Sequence, residues 1–422
     1  MDEKKIKQTY EMAKEQYSLL GSDVDGALEE LKKFSISLHC WQGDDVGGFE
    51  TPGSELSGGG IQVTGRYPGK ARSLDELRSD LEKAFSLIPG RHRLNLHAIY
   101  GDFSGDRIDR DAVEARHFRS WVDWAKKNRL KIDFNATCFS HPQAESGFTL
   151  SSKEKTIREF WIEHVKRCRR ISDFIGGELK NPCIHNLWIP DGSKDQPVDR
   201  WAHREHLMKS LDDIFTERFD PRRMKDSLEG KLFGIGSESF VVGSHDFYLG
   251  YALKRDKMIC LDLGHFHPTE SVADKLSAIL QFSNELLLHF SRGVRWDSDH
   301  VVILNDEIRQ VAEEIVRSQV RERVHVALDY FDGSLNRIGA WVTGARAVLK
   351  GFLIALLEPT EKLRRFEESN NQFAKMALLE ELKHMPFGAV WNYYCLVMDV
   401  PLSFQLTDEV IQYETDVLRN RS

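Results

Sequence analysis

The chain has 422 residues, of which 41% are hydrophobic and 29% charged, a composition typical of a globular protein with one large domain or two smaller ones. Its formal net charge of -8 argues against nucleic acid or an anionic membrane as a partner, because both would favour a basic face. The substrate is therefore expected to be a small molecule.

Cysteine spacing and the amino-terminal residues predict the cellular compartment. The six cysteines are scattered and no pair has the C-x-x-C spacing, so neither a zinc knuckle nor a disulfide framework is predicted. Residues 2–5 are all charged, and no apolar run reaches the roughly 18 residues that a membrane span needs. We expect a cytoplasmic protein with no membrane partner.

Most of the chain alternates between strand and helix patterns. Residues 1–33 come first and predict a helical lead-in, with Tyr10, Ala13 and Tyr17 at helical spacing. The predicted strands are 34–40, 93–97, 130–135, 183–189, 227–232, 258–263, 285–290 and 323–329. Predicted helices at 73–88, 111–128, 153–174, 200–217, 246–254, 271–282 and 305–318 separate them. Eight such units over residues 34–335 predict an α/β protein with a (β/α)₈ TIM barrel as its catalytic domain.

The remaining residues, 336–422, predict a helical C-terminal extension. Apolar residues recur at helical spacing over 338–357, 361–383 and 386–398. Because such helices need a surface to pack against, we expect this extension to serve in oligomerisation.

Polar residues close the predicted strands, and barrel active sites lie at the carboxyl ends of strands. Strands 258–263 and 285–290 are continuously apolar, so they are expected to be buried on both faces, with their polar ends lining a cleft. The closing residues are His97, Trp188, Glu229, Lys231, Asp262, His265, His289, Asp297, Asp299 and Asp329.

These carboxylates would repel one another at a single barrel mouth unless cations lay between them. Divalent metal is therefore predicted, and a set of oxygen and imidazole ligands without cysteine suits Mn²⁺, Mg²⁺ or Co²⁺ more than a structural zinc. Two metal sites are inferred from the strand ends, one around Glu229, Asp262, His289 and Asp329 and one around Asp262 or its neighbourhood with His265, Asp297 and Asp299. Glu229 and Lys231 are two apart on a predicted strand, so both are expected to point into the barrel.

Three short motifs resemble those of the xylose isomerase group: Asp262-Leu263-Gly264-His265, Trp296-Asp297-Ser298-Asp299 and Glu229-x-Lys231. Gly230 departs from that group, which usually has proline there. Longer segments resemble the L-rhamnose isomerase family in order and spacing over nearly the whole chain. They include 94–100, 148–151, 188–192, 231–236, 264–270 and 295–302.

The resemblance implies a role for each candidate residue. His265, Asp297 and Asp299 would bind a catalytic Mn²⁺, and Glu229, Asp262, His289 and Asp329 a structural Mn²⁺, Zn²⁺, Co²⁺ or Mg²⁺. Lys231, His97 and Asp329 would be catalytic. The sugar would contact His97, Trp188, Lys231, His265, Asp297 and Asp329. A homotetramer is implied as well.

The implied reaction converts L-rhamnose to L-rhamnulose, the first step of L-rhamnose catabolism, by a metal-assisted 1,2-hydride shift. Lys231 would hydrogen-bond O1, His97 would act in ring opening and Trp188 would offer a flat wall to a C–H face. Structural alternatives are a core histidine at 97, an ion pair between Lys231 and Glu229, and ordinary packing at Trp188. Functional alternatives are an aldose isomerase of different or broad specificity, a metal-dependent barrel hydrolase of phosphate esters and a non-catalytic sugar-sensing barrel.

Overall fold

A computed structural model of the protein describes residues 2–50, 64–232, 239–295 and 297–421. Eight parallel strands form a closed barrel in which each strand neighbours the next in the chain and the last pairs with the first. The strands are β1 Ile36–His39, β2 Arg93–His97, β3 Lys131–Asn135, β4 Cys183–Leu187, β5 Met224–Glu229, β6 Met258–Asp262, β7 Leu286–Phe290 and β8 Val324–Leu328. The TIM barrel predicted from the sequence is confirmed.

Fourteen helices are found within the described residues. They are α1 Glu3–Leu20, α2 Val24–Leu31, α3 Leu74–Ser86, α4 Arg119–Asn128, α5 Lys155–Leu179, α6 Arg200–Ile214, α7 His245–Arg255, α8 Val272–Ile279, α9 Asp306–Arg317, α10 Arg337–Leu356, α11 Thr360–Glu368, α12 Gln372–Leu382, α13 Phe387–Val397 and α14 Ser403–Asp416. Helices α3 to α10 each follow one barrel strand, as the βαβ rule requires.

Strands β6 and β7 illustrate how the sequence positions polar groups at the barrel mouth. Every residue of both strands is buried, as their continuous hydrophobicity predicted. Their parallel register pairs Leu261 with Leu288 and Asp262 with His289. A carboxyl group and an imidazole therefore come side by side at the carboxyl end of the sheet.

The fifth strand was predicted over 227–232, but this prediction was wrong at both ends. The observed strand begins at Met224 and ends at Glu229. Lys231 therefore follows the strand, and its backbone N–H donates to the carbonyl of Gly243 at 2.9 Å. Gly230 between them lies against the start of α7, where an added Cβ would come within 3.0 Å of the His245 backbone. Glycine at position 230 leaves room for this close approach of the chain to α7.

Three helix predictions also need correction. The helix predicted from residue 111 begins only at Arg119, because the backbone N–H of Glu114 donates to His117 Nδ1 at 3.0 Å and the residues before it form short 3₁₀ turns. The helix predicted over 361–383 is broken at Asn370, whose φ of 53° is left-handed. Helix α14 lies within the predicted helical extension, but the sequence analysis did not delimit it as a separate helix.

The lead-in and the C-terminal helices pack on each other and on the barrel. Helix α1 lies against α13, where the rings of Tyr10 and Tyr393 stack with their centroids 3.7 Å apart. Helix α10 packs against α9, α3 and β1, in the position of the eighth barrel helix. It is long and apolar enough to cross a membrane, but 78% of its apolar window is buried inside the protein. The division of the chain at 33/34 and 335/336 stays a prediction.

Candidate metal centre

Four predicted ligands meet at the barrel mouth. Glu229, Asp262, His289 and Asp329 each offer one ligand atom, and these atoms all lie within 4.8 Å of one another. Glu229 and Asp262 end β5 and β6, His289 is in β7 and Asp329 follows β8. Four adjacent strands therefore supply one ligand each; we call these residues the inner cluster.

Within the inner cluster, one imidazole nitrogen faces three carboxylates. His289 Nδ1 lies 3.4 Å from Glu229 Oε1, 3.7 Å from Asp262 Oδ2 and 3.1 Å from Asp329 Oδ2. The side chains of His289, Glu229 and Asp262 are almost fully buried, whereas that of Asp329 is 24% exposed. Asp329 is thus the member of the inner cluster that opens most towards the mouth.

His265, Asp297 and Asp299, the second predicted set, continue the inner cluster outward. His265 Nδ1 lies 3.4 Å from Glu229 Oε1, and its Nε2 lies 3.3 Å from Asp297 Oδ2. Asp299 adopts a left-handed backbone with φ 45°, and its carbonyl accepts from the N–H of Phe331 at 3.3 Å. The structure thus brings the three outer residues beside the inner cluster. The division into two metal sites stays a prediction.

Three aspartates at the barrel mouth have raised pKa values, because they are buried close to other carboxyl groups and have too few positively charged neighbours. Burial, together with Glu229 and Asp329, raises the pKa of Asp262 to about 7. Burial and Asp297 raise the pKa of Asp299 well above its ordinary value. Burial raises the pKa of Asp329 as well. The carboxyl groups therefore hold protons at a pH at which isolated ones would be ionised.

Two imidazoles supply part of the missing positive charge. Burial lowers the pKa of His265, but Asp262 and Asp297 raise it more, to well above its ordinary value. Burial also lowers the pKa of His289, but Cys260 and Glu229 raise it more, to well above the usual range. Glu229 responds in the opposite way, since burial would raise its pKa but His289 lowers it to about 2.

Orphaned polar atoms test whether these residues fit a metal. Among the described residues, buried Glu229 Oε1, His265 Nδ1, both ring nitrogens of His289 and Asp297 Oδ1 have no hydrogen-bond partner. An unpaired buried polar group costs about 1–3 kcal/mol, and coordination of a cation removes that cost. The donors are carboxylate oxygens and imidazoles, which suit a divalent metal. The predicted metal ligands therefore fit such an ion.

Cys260 is a ligand candidate that the sequence analysis missed. Ligand atoms of Cys260, Glu229 and His289 also lie within 4.8 Å of one another. Its position two residues before Asp262 on β6, pointing to the same side of the strand, was the available signal. Burial raises the pKa of its thiol far above the ordinary value, so the protonated form is favoured.

Aromatic rings line the side of the mouth where the sugar-contacting residues were predicted. The rings of Trp41, His97, Phe139 and Trp188 follow one another with centroid separations of 4.7, 5.5 and 5.9 Å. Lys231 Nζ lies 5.4 Å from the centre of the Trp188 ring and donates to the carbonyl of Pro190 at 3.1 Å. We call the four rings the aromatic wall. Trp41 and Phe139 were missed, although both follow barrel strands in the sequence.

His97 is neutral in this wall. Burial lowers its pKa to about 3, and its Nδ1 lies 3.2 Å from Thr137 Oγ1. A neutral imidazole both donates and accepts a hydrogen bond, as a proton-transfer residue must. A neutral His97 can therefore exchange hydrogen bonds with a polar, uncharged ligand.

Three hydrogen-bond donors to the inner cluster also escaped the sequence analysis. Asn186, Ser291 and Trp41 each donate to one carboxylate of that cluster. Asn186 is next to last in β4, Ser291 follows β7 and Trp41 lies just after β1. Their positions near strand ends were visible, but their bonds depend on side-chain directions that spacing does not give.

A family model described as L-rhamnose isomerase (RhaA) matches residues 4–421. L-rhamnose isomerase of Rhodopirellula baltica is 54% identical over 417 residues, which cover 99% of this chain and 97% of the relative. The Salmonella agona protein of the same name is 53% identical and covers 99% of both chains.

Two proteins of known structure that resemble the chain are much more distant from it in sequence. A 3-keto-D-glucoside 4-epimerase from E. coli is 11% identical with a TM-score of 0.45, over 68% of this chain and 99% of that one. A putative xylose isomerase from Rhodospirillum rubrum is 10% identical with a TM-score of 0.43, over 68% and 98% of the two chains.

Proposed function

Because the chain belongs to the L-rhamnose isomerase family, we propose that it is an enzyme that converts L-rhamnose to L-rhamnulose, the first step of L-rhamnose catabolism. The observation that supports a metal-dependent route is the inner cluster, whose ligand atoms converge within 4.8 Å around buried, unpartnered donors. The proposed substrate is a small neutral sugar, in agreement with an uncharged aromatic wall beside the cluster.

We assign the metals as follows. His265, Asp297 and Asp299 would hold the catalytic Mn²⁺, and the inner cluster would hold a second divalent ion: Mn²⁺, Zn²⁺, Co²⁺ or Mg²⁺. A bound divalent ion supplies Lewis acidity that polarises the sugar carbonyl and stabilises a neighbouring alkoxide. Of the inner cluster, Asp329 would contact both metal and sugar, since its side chain is 24% exposed and that of Glu229 only 2%.

The other proposed roles belong to side chains around the mouth. Lys231 would donate a hydrogen bond to sugar O1, and neutral His97 would move a proton during ring opening. The ring of Trp188 would cover a C–H face of the open sugar and keep water away from it. His265 and Asp297 would contact the sugar as well as the metal.

In the proposed isomerisation, hydrogen moves directly from C2 to C1 as hydride, and the proton of O2 is transferred to O1. Atoms and electrons balance without a redox cofactor. Because the moving hydrogen never becomes a free proton, it does not exchange with water. An enediol route would instead introduce solvent hydrogen at C1.

The test compares metal-stripped and Mn²⁺-reconstituted protein in a ketose colour assay with L-rhamnose, D-xylose and a phosphate ester. We expect ketose from L-rhamnose only with metal, an unchanged circular dichroism spectrum without it, and almost no solvent tritium at C1. Undiminished turnover after metal removal, or phosphate release without ketose, would contradict the proposal. Comparing rates with other aldoses measures how broad the specificity is.

We also propose a cytoplasmic homotetramer in which the extension 336–422 provides contacts between subunits. Phe373 and Met376 of α12 support this, because they are 75% and 58% exposed although apolar. Light scattering after size-exclusion chromatography gives the mass. A monomeric result would contradict the assembly without affecting the proposed reaction.

A further inference from the structure

We propose that Asn186, Ser291 and Trp41 are positioning residues that restrict each inner-cluster carboxylate to one free oxygen, and so select Mn²⁺ over the larger Ca²⁺. This inference rests on the proposed metal binding. Each of the three residues donates a hydrogen bond to one oxygen of a carboxylate, and the other oxygen of that carboxylate faces His289.

Glu229 shows the arrangement at the end of β5. Its Oε2 accepts from Asn186 Nδ2 at 2.6 Å. Its Oε1 has no hydrogen-bond partner among the described residues and lies 3.4 Å from both His289 Nδ1 and His265 Nδ1. Asn186 is itself buried on the neighbouring strand.

Asp262 is held from two sides. Its Oδ1 accepts from the Gly264 N–H at 2.7 Å and from the Ser291 hydroxyl, while its Oδ2 lies 3.7 Å from His289 Nδ1. A Cβ on Gly264 would come within 2.8 Å of Ser291 Oγ and 3.2 Å of Asp262 Oδ1. Glycine is therefore needed for this close packing.

Asp329 repeats the pattern after β8. Its Oδ1 accepts from Trp41 Nε1 at 3.1 Å, and its Oδ2 lies 3.1 Å from His289 Nδ1. Trp41 is buried in the turn that follows β1. Three different elements thus place neutral donors on the oxygens that face away from His289.

Held oxygens limit what the inner cluster can bind. With one oxygen tied in each carboxylate, the cluster offers three oxygens and one nitrogen. Ca²⁺ takes 6–8 oxygens and often uses both oxygens of a carboxylate, whereas smaller ions are satisfied by fewer protein ligands plus water or substrate. Because the donors are neutral, they orient the carboxylates without cancelling the charge that attracts the metal.

Ser291→Ala tests the proposal, with Ser227→Ala as the matched control. Ser227 is a fully buried serine of β5 whose hydroxyl has no partner among the described residues. Metal-free proteins are titrated with Mn²⁺ and with Ca²⁺ against a fluorescent chelator. We expect Ser291→Ala to raise the Mn²⁺ Kd roughly 10-fold and to leave the Ca²⁺ Kd unchanged or lower, while Ser227→Ala matches the wild type.

Trp41→Phe is the second probe, since it removes the N–H donor but keeps an aromatic ring. The same change in the Mn²⁺ to Ca²⁺ ratio is expected. A parallel weakening of both ions, an equal effect of Ser227→Ala, or no shift in either variant would overturn the inference. Wild-type protein that binds neither ion would overturn the proposed metal dependence itself, so the two failures are distinguishable.

Discussion

The two ends of the barrel interior bury carboxyl groups in opposite ways. In the amino-terminal half of the strands, Asp133 accepts from Arg93 Nε at 2.7 Å and from the Ser37 hydroxyl at 2.6 Å. At the carboxyl end, Asp262 and Asp329 face the imidazole of His289. Burial is similar for Asp133 and Asp262, so their difference lies in the partners that the chain supplies.

The pKa directions follow this difference. Burial would raise the pKa of Asp133, but Arg93 lowers it. On the helix-facing side of β5, the His185 imidazole 3.6 Å away and hydrogen bonds from Arg169 lower the pKa of Asp226 in the same way. The pKa values of Asp262 and Asp329 are raised. Carboxylates that the chain itself neutralises serve stability, whereas those that it leaves crowded are suited to binding a cation.

The largest effect is expected from Asp262→Asn. Removal of a metal-ligand charge should lower kcat with L-rhamnose about 10³-fold at saturating Mn²⁺, which corresponds to roughly 4 kcal/mol. The metal-free variant should melt at a higher temperature than wild type, because a crowded carboxylate has been removed. Asp220→Asn, on an exposed pair, is the control. A near-normal kcat for Asp262→Asn would show that Asp262 is not a metal ligand.

Arg169→Met is expected to lower the free energy of unfolding and to leave kcat unchanged. Arg169 donates to both oxygens of buried Asp226 at 2.8 and 2.9 Å, so its loss leaves a buried carboxylate with weaker compensation. We expect a loss of about 3 kcal/mol in the free energy of unfolding with kcat unchanged, measured by denaturant titration and assay. Arg222→Met, whose side chain is 88% exposed, should leave the free energy of unfolding essentially unchanged. Equal costs would contradict the comparison.

The pH dependence of the metal-free protein should separate the two ends. Asp262 has a folded pKa near 7, above its unfolded value, and the pKa values of His265 and His289 are raised too. The stability that these groups contribute is present at low pH and is lost as pH rises through their folded pKa values. The melting temperature of chelator-treated wild-type protein, relative to that of the Asp262→Asn variant, should therefore rise between pH 8 and pH 5. Buried histidines with lowered pKa values, such as His97, oppose a rise but act equally in both proteins.

Below that pH range, the buried carboxyl groups that have cationic partners determine how stability depends on pH. Asp133 and Asp226 have lowered pKa values, so their contribution is complete above the unfolded value near 4 and disappears as pH falls through the folded values. Melting temperatures should decrease below about pH 4. A monotonic increase down to pH 2 would contradict this account.

The smallest effect is expected from Lys225→Met. Lys225 pairs with Glu285, but both side chains are about a quarter exposed, and His325 contacts the same carboxylate. Water screens such a pair, so the expected loss is at most about 1 kcal/mol, with normal metal affinity. If Lys225→Met lowered the free energy of unfolding as much as Arg169→Met does, solvent exposure would not explain the difference between the two ion pairs.

The sequence predicted the barrel well because period and length are local properties. Apolar runs of strand length gave all eight strands, and polar residues at their ends gave the inner cluster. Lys231 was misplaced because the chain turns at Gly230 towards α7, a contact between distant segments. Helix α14 was not delimited within the predicted helical extension because Val410 is its only well-buried apolar residue among those described.

Asn186, Ser291 and Trp41 could not be predicted for a different reason. Their importance depends on which carboxylate oxygen each one reaches, and this is fixed by side-chain directions across neighbouring elements. The spacing of residues along a strand predicts which face a side chain occupies, but it does not predict hydrogen-bond partners on another strand.

Pairing of β1 with β8 has a consequence for synthesis of the protein. Ile36 of β1 pairs with Val326 of β8, so the barrel cannot close until the last strand has been synthesised. Asp329 follows three residues after Val326. A nascent chain therefore acquires Asp329, the fourth residue of the inner cluster, together with β8, the strand that closes the barrel. Chains truncated before β8 would lack both.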